Sequence, residues 1–157
     1  MRNQPDIRIS ILDRLIDHEP ELSSEPVRHR FSTLASVRES VLRDLENLLN
    51  ARRNIHPVPE SDQQVKASIF SYGARDFISD NPRCQSVRQQ IRLEMERLLM
   101  QFEPRLKNVT VRFDTSGGQE RTLHFLITAL LLADPVTVPI TFDTGFDINS
   151  GAYSILK

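Results

Sequence analysis

Apolar residues recur at helical spacing in two long segments of the chain. In residues 32–50 one stripe is formed by Val37, Val41, Leu45 and Leu48, widened by Leu42 and Leu49. In residues 86–102 a similar stripe is formed by Val87, Ile91, Met95, Leu98 and Phe102, with Leu99 beside it. Positions three and four residues apart lie on one side of an α-helix. The pattern therefore predicts two amphipathic helices, each with one buried face.

The C-terminal half changes to strand patterns. In NVTVRFD, apolar Val109, Val111 and Phe113 alternate with polar residues, and the following TSGGQE suits a hairpin connection. RTLHFLITALLLAD is expected to be a strand buried on both faces, and GAYSILK a short final strand. Pro135 and Pro139 interrupt PVTVPITFDT, which predicts an edge or a bulge there. Helices followed by strands indicate an α+β fold, with N-terminal helices packed on a small, mostly antiparallel C-terminal sheet.

Two other segments are less regular. ASIFSYG is compatible with a helical turn or a short strand, and Gly73 at its end permits a positive φ. Near the start, Ile11, Leu12 and Leu15 have helical spacing, and Pro20 and Pro26 break the segment that follows. We expect residues 1–31 to be a docking arm and linker, with a frayed terminus as an equal alternative. Residues 32–157 then form a single domain.

Composition narrows the classes of function. Lys and Arg total 20 against 21 Asp and Glu, so the chain as a whole has no electrostatic footprint for nucleic acid. Cys84 is the single cysteine, which fits a reducing compartment. No N-terminal apolar stretch resembles a signal peptide, and HFLITALLLA is too short to span a bilayer as a helix. We expect a soluble cytoplasmic protein that does not insert into a membrane.

The search for catalytic or metal-binding motifs is largely negative. The four His residues are far apart, SGG lacks the ending of a phosphate-binding loop, and no Gly-x-Ser-x-Gly occurs. We therefore expect no metal and no cofactor. A pair of carboxylates, Glu103 with Asp114 or Asp143, would suit a glycosidase. Arg105 lies two residues from Glu103 and favours a charged carboxylate, which is the opposite of what a general acid needs.

The junction between helix and strand contains Glu103, Pro104 and Arg105. The residue before a proline avoids helical backbone angles, so the helix should end at about Phe102. Arg105 is favourable near the last helical carbonyls, but Glu103 is not explained by the end of a helix. A rigid turn that carries two opposite charges suits directed ion pairing with a partner protein.

Five segments in order resemble the TssE family of type VI secretion baseplate wedge subunits, which is similar to a phage baseplate protein labelled lysozyme-like. They are SILDRLIDHEP, VLRDLENLLNARR, SIFSYGARDF, IRLEMERLLMQFEPRL and VTVPITFDTGFD, spread over about residues 8 to 156. The motif Phe-Glu-Pro-Arg-Leu is the most recognisable of them. One departure is Arg75, at a position where many relatives have an apolar residue.

The resemblance implies a structural protein rather than an enzyme; a peptidoglycan-degrading, lysozyme-like glycosidase is the alternative. It implies assembly with TssF and TssG in a TssK-containing baseplate at the inner face of the cytoplasmic membrane. It also implies that the protein seeds the contractile TssB/TssC sheath and that its strands are similar to the sheath handshake domain. Glu103, Pro104 and Arg105 are implied to lock the subunit to the wedge. We expect Ile11, Leu12 and Leu15 to dock on a neighbouring subunit, without an obligate homo-oligomer.

Overall fold

The computed structural model describes residues 33–77, 79–81, 84–114 and 122–156, and also positions 11, 15, 16, 20 and 21. In these ranges two long helices precede a four-stranded antiparallel sheet, which confirms the α+β prediction. The helices are α1 Leu34–Asn50, α2 Gln63–Lys66 and α3 Gln85–Phe102, with a 3₁₀ turn at Ile69–Ser71. The strands are β1 Leu106–Asp114, β2 Thr122–Ala133, β3 Val136–Asp147 and β4 Ala152–Leu156.

Helix α1 begins at a reciprocal cap. The Thr33 hydroxyl accepts the N–H of Ser36 at 3.2 Å, and the Ser36 hydroxyl accepts the N–H of Thr33 at 3.0 Å. These bonds satisfy two backbone donors that the first turn otherwise leaves unpaired. The helix therefore starts two residues after the predicted position. Its apolar stripe is buried as predicted, and so is the centre of the stripe on α3; these residues are Val37, Val41, Leu45, Leu48, Ile91, Met95 and Leu98.

The strand order is β1-β2-β3-β4, and every neighbouring pair is antiparallel. Helix α3 packs mainly on β1, and α1 mainly on β4. The core lies between these helices and one face of the sheet; its largest fully buried side chains include Phe125, Phe142 and Ile127. No described helix is both long and apolar enough to cross a membrane.

The prediction that β2 is buried on both faces is wrong. Its residues alternate between buried and partly exposed, and Leu132 on the outward face is 38% exposed. Outward-facing Leu126 lies between Arg112 of β1 and Asp143 of β3 in the strand register. Polar side chains on β1 and β3 thus partly cover the outward-facing leucines of β2. This explains how an apolar run forms a strand with only one face against the helices.

The segment around Gly73 ties the short elements to α1. The helical alternative for SIFSYG is correct, since Ile69–Ser71 is a 3₁₀ turn. Gly73 has a φ of +101°, and a Cβ there would lie 2.4 Å from the carbonyl oxygen of Ala51. This close approach lets Ala74 donate to that same carbonyl at 2.8 Å and accept from the N–H of Arg53 at 3.0 Å. The positive φ predicted for Gly73 is confirmed, and only glycine fits the position.

Strand β3 is flanked on both sides for only part of its length. It pairs with β2 from Val136 to Asp147, but β4 covers only Asp143 to Asp147. The half from Val136 to Phe142 therefore has a single described neighbour. Pro139 lies in this half, which confirms that the proline marks an edge. Pro135 precedes β3 in the turn from β2.

Candidate partner-binding site

The junction between α3 and β1 is a tight turn. The helix ends at Phe102 as predicted, and Glu103 leaves the helical region with φ −116° and ψ 84° while its N–H still donates to Leu99. The N–H of Leu106 then donates to the carbonyl of Glu103 at 3.1 Å, which closes the turn. Pro104 is exposed at its tip. The proline thus orients the two flanking charged residues toward each other across one turn.

Glu103 and Arg105 form a two-pronged ion pair. The Arg105 Nε lies 2.7 Å from Glu103 Oε1, and Nη2 lies 2.7 Å from Oε2. The backbone N–H of Arg105 also donates to Oε1 at 3.2 Å. The Glu103 side chain is only 5% exposed and that of Arg105 24%. The hydrogen bond to Glu103 is the main cause that raises the pKa of Arg105, which remains a fixed cation.

The same guanidinium reaches α1 and β2. Nη2 contacts Asp44 Oδ2 at 2.5 Å, and Nη1 donates to the Ser40 hydroxyl at 3.1 Å. The carbonyl of Arg105 accepts the N–H of Leu132 at 2.8 Å. We call Ser40, Asp44, Glu103 and Arg105 the junction network. It joins α1, the end of α3 and the start of the sheet, so it has a structural role of its own.

Tyr72 lies beside the junction network. Its ring packs edge-on against Phe102 with 5.4 Å between centroids. Burial raises the pKa of Tyr72, and the negative charges of Asp44 and Glu103 raise it further. Ser40, Asp44 and Tyr72 were not predicted from the sequence as site residues. One signal was present in the sequence: Ser40 and Asp44 are one helical turn apart, and Ser40 is three residues after Val37 and next to Val41 of the apolar stripe.

The geometry does not suit a glycosidase. Both carboxylate oxygens of Glu103 accept hydrogen bonds from Arg105. Asp114 is at the far end of β1, which places it more than about 20 Å from the junction at the usual rise per strand residue. Asp143 is on the exposed face of β3. Paired glycosidase carboxylates lie about 5–10 Å apart, which excludes Asp114 as a partner of Glu103. Asp143 is excluded as well, because it is opposite Leu126, about 20 Å along β2 from the Leu132 that bonds to Arg105.

Side chains of α3 cap the outer edge of β1. The N–H of Val111 donates to Glu96 Oε1 at 2.9 Å, and Arg92 Nη1 donates to the carbonyl of Val111 at 3.4 Å. Glu96 and Arg92 also pair with each other at 2.6 Å. The backbone groups at the middle of this edge are therefore occupied by the protein's own helix.

Side chains of α1 cap the outer edge of β4 in the same way. The Asn50 amide accepts the N–H of Tyr153 at 2.8 Å and donates to its carbonyl at 2.9 Å. Glu46 Oε1 accepts the N–H of Ile155 at 3.1 Å. A strand from another protein would have to displace these side chains before it could pair with β4.

The first half of β3 is different. The N–H of Leu132 donates to the carbonyl of Arg105, which is on the β1 side of β2. Backbone groups alternate in direction along a strand, so the even-numbered β2 residues direct theirs toward β1 and the odd-numbered residues toward β3. Each odd-numbered β2 residue lies opposite an even-numbered β3 residue. The backbone groups of Thr137, Pro139 and Thr141 consequently face outward, where no described strand pairs with them. We call Val136–Phe142 the open edge.

Among the apolar arm residues that the structure describes, Ile11 and Leu15 are exposed and Ile16 is partly exposed. Ile11 and Leu15 are helical, and their side chains are 77% and 76% exposed. Leu12, which was predicted to dock together with Ile11 and Leu15, lies outside the described residues. Docking of this arm on a neighbouring subunit remains a prediction.

Comparison with models of protein families assigns the chain to one family. The family model described as baseplate wedge protein gp25 matches residues 35–136, which is more than half of the 157 residues. The chain belongs to the baseplate wedge protein gp25 family. This is also the family of TssE, so the resemblance seen in the sequence is confirmed. No curated protein matches the chain.

The family determines the broad role. Its members are structural baseplate proteins, and this chain is accordingly a structural component of a phage tail-like baseplate. The matched region runs from α1 to the start of β3 and contains the whole junction network. Among the described residues no group of three or more His, Cys, Asp or Glu side chains could hold a metal ion.

Proposed function

We propose that this gp25-family protein is the TssE-type wedge subunit of a type VI secretion baseplate. It connects TssF and TssG, in a TssK-containing baseplate at the inner face of the cytoplasmic membrane, to the TssB/TssC sheath. It also seeds polymerisation of that sheath. The observation that carries this proposal is the open edge of β3, which lies at the same end of the sheet as the junction network.

The open edge supports a role in strand addition. A strand from the sheath can use the carbonyls of Thr137, Pro139 and Thr141, together with the N–H groups of the two threonines. Capping of β1 by Glu96 and of β4 by Asn50 directs an incoming strand to this edge. Pro139 lacks an N–H and therefore limits pairing with unrelated strands.

The junction network supports a role in wedge attachment. Glu103 is buried against Arg105, so a partner meets Pro104 and the exposed side of Arg105 rather than the carboxylate. The internal ion pair holds the guanidinium in one orientation, which lowers the entropy that a partner must remove on binding. Exposed Leu132 adjoins Arg105 through its backbone and offers apolar surface at the same place.

The two surfaces are close together. Thr137 is opposite Leu132, and Leu132 bonds to Arg105, so β2 alone separates the open edge from the junction network. Strands lie about 4.8 Å apart, which places the two backbones roughly 10 Å from each other. A wedge subunit bound at Arg105 and a sheath strand bound at Thr137 would therefore be adjacent.

Thr141→Pro tests the open edge. It removes an outward N–H without removing a bond to β2, whereas Thr141→Ala keeps the N–H and is the matched control. We expect cells with Thr141→Pro to lose fluorescent TssB sheaths while TssF and TssG still co-purify with the protein. Normal sheaths in the proline variant would exclude strand addition at this edge.

Pro104→Asp tests the junction surface, because it places a negative charge at an exposed tip, and Pro104→Ala controls for loss of the proline that orients the ion pair. We expect TssF and TssG to be lost from the purified complex while the melting temperature remains near the wild-type value. Ile11→Ser with Leu15→Ser tests the arm in the same co-purification. Retention of TssF and TssG by the Pro104 variant would contradict the proposed wedge contact.

A further inference from the structure

A cleft lies on the side of the molecule formed by the chain after α1, the short elements that follow and the C-terminal half of α3. Its volume is about 630 Å³. Three of its lining residues are cations, Arg53, Lys66 and Arg97, and no described lining residue is acidic. The proposed baseplate function uses none of these residues. They come from three separate segments, so the fold alone brings the positive charges together.

The carboxylate of Glu94 holds the two arginines of the cleft in place. Glu94 Oε1 accepts from Arg53 Nη1 at 2.9 Å and pairs with Arg97 Nη2 at 3.0 Å. The Glu94 side chain is 16% exposed, and those of Arg53 and Arg97 are 32% and 41% exposed. One carboxylate therefore balances two guanidiniums, and a positive charge remains at the surface. Among the described residues, the Lys66 ammonium makes no ion pair.

A second hydrogen-bond pair stabilises the cleft. Arg97 Nη1 donates to the Gln101 amide oxygen at 3.1 Å, and the Gln101 amide nitrogen donates to the backbone carbonyl of Lys66. This connection fixes the segment that carries Lys66 against α3. Side chains that are already ordered lose little conformational entropy when a ligand binds.

Apolar side chains border the cations. Ile55 is 95% exposed and Phe70 is 39% exposed, and both line the cleft. A ligand that consists only of phosphate or another small anion would leave this apolar surface in water. A nucleic acid would require a broader basic surface than three cations on a chain of net charge −1. A peptide with carboxylates next to an apolar side chain complements both features.

We propose that this cleft binds an acidic segment of a partner protein, with its carboxylates on Arg53, Lys66 and Arg97 and an apolar side chain against Ile55 and Phe70. Glu94 occupies only Nη1 of Arg53, so a carboxylate can contact the other guanidinium nitrogens of Arg53 and fix the orientation of the segment. Lys66 and Arg97, whose guanidinium already bonds to Glu94 and Gln101, add attraction without a fixed geometry. The proposal does not depend on the assignment to a type VI system.

The test uses the full chain and a fluorescein-labelled nonapeptide that contains four Asp or Glu residues and one central Leu, followed by fluorescence anisotropy. Lys66→Glu should weaken binding about fivefold or more, because attraction becomes repulsion at one exposed pair. Lys107→Glu is the matched control, since it makes the same charge change on exposed β1 and should have no effect. Ile55→Ser should weaken binding without changing stability, because its side chain is almost fully exposed.

Three results would overturn the proposal. The first is equal weakening by the Lys66 and Lys107 variants, which would indicate attraction by overall charge. The second is unchanged affinity when the central Leu of the peptide becomes Ser. The third is displacement of the peptide by inorganic phosphate or by an oligonucleotide at concentrations where an equally acidic, unlabelled peptide fails to compete.

Discussion

Removal of Arg105 should destabilise the fold far more than removal of an exposed cation. Arg105→Met keeps the aliphatic stem of the side chain and deletes the guanidinium. Glu103 then retains only the backbone N–H of residue 105 among the donors that Arg105 supplies, in a side chain that is 5% exposed. An uncompensated buried charge costs about 3–5 kcal/mol, and we expect a loss of this size at neutral pH.

Neutralising the carboxylate should be less costly. Glu103→Gln leaves Arg105 with Asp44 at 2.5 Å and with Ser40 at 3.1 Å. The cost is that of weakened hydrogen bonds, about 1–3 kcal/mol. In the double variant no buried charge is left without a partner. The loss of unfolding free energy in the double variant should therefore be smaller, by roughly 1–3 kcal/mol, than the sum of the losses in the two single variants.

Urea denaturation followed by far-UV circular dichroism measures these differences, because the chain has no tryptophan for fluorescence. Lys107→Met is the matched control on exposed β1 and should change stability by less than about 0.5 kcal/mol. At this chain length the loss in Arg105→Met corresponds to a melting temperature lower by roughly 10 °C.

Two outcomes would refute this reasoning. One is an Arg105→Met variant as stable as the Lys107→Met control. The other is strict additivity of the two junction substitutions, which would mean that the ion pair contributes no coupling. If the expected losses are found, assembly defects in Glu103 or Arg105 variants require a stability measurement before they are assigned to a lost partner contact.

Three further predictions concern the core and its supports. Thr144→Val should raise stability by about 1–2 kcal/mol in urea denaturation, because the Thr144 hydroxyl is buried and has no hydrogen-bond partner among the described residues. A loss of stability would indicate that the hydroxyl does have a hydrogen-bond partner. Gly73→Ala should lower stability by more than about 2 kcal/mol, owing to the positive φ and the 2.4 Å approach to Ala51, and an unchanged urea midpoint would contradict this. Burial, with a smaller contribution from Glu94, raises the pKa of Tyr153 above its ordinary value of 10.0, so the stability present below pH 10 should decrease as the pH rises further. Tyr153→Phe should reduce that decrease in a pH series of melting temperatures, and an identical pH profile would exclude Tyr153 as its source.

The sequence predicted those features that local chemistry controls. The long helices were found because their apolar stripes repeat over four turns, and the end of α3 because proline restricts the preceding residue. Pro139 likewise indicated an edge before any strand order was known. In each case the residues that decide the structure are neighbours in the chain.

The features that were missed depend on distant contacts. Arg105 meets Asp44 and Ser40 across 61 and 65 residues of sequence, so a pattern around Glu-Pro-Arg could not show that the cation is already paired. The burial of β2 on one face depends on where the helices pack, which a run of leucines does not specify. Which edge remains open likewise depends on side chains of α1 and α3 that reach β4 and β1.

In the proposed assembly, the arrangement of capped and open edges would give the protein a direction. A subunit that could pair through two edges would be able to occupy any position in a growing chain of strands. Among the described residues, Val136–Phe142 is a half-strand without a partner on one side, while helix side chains bond to Val111 of β1 and to Tyr153 and Ile155 of β4. If a sheath strand pairs at the open edge as proposed, growth begins from this molecule in one direction, because the described side chains of α1 and α3 occupy backbone groups on the outer edges of β4 and β1.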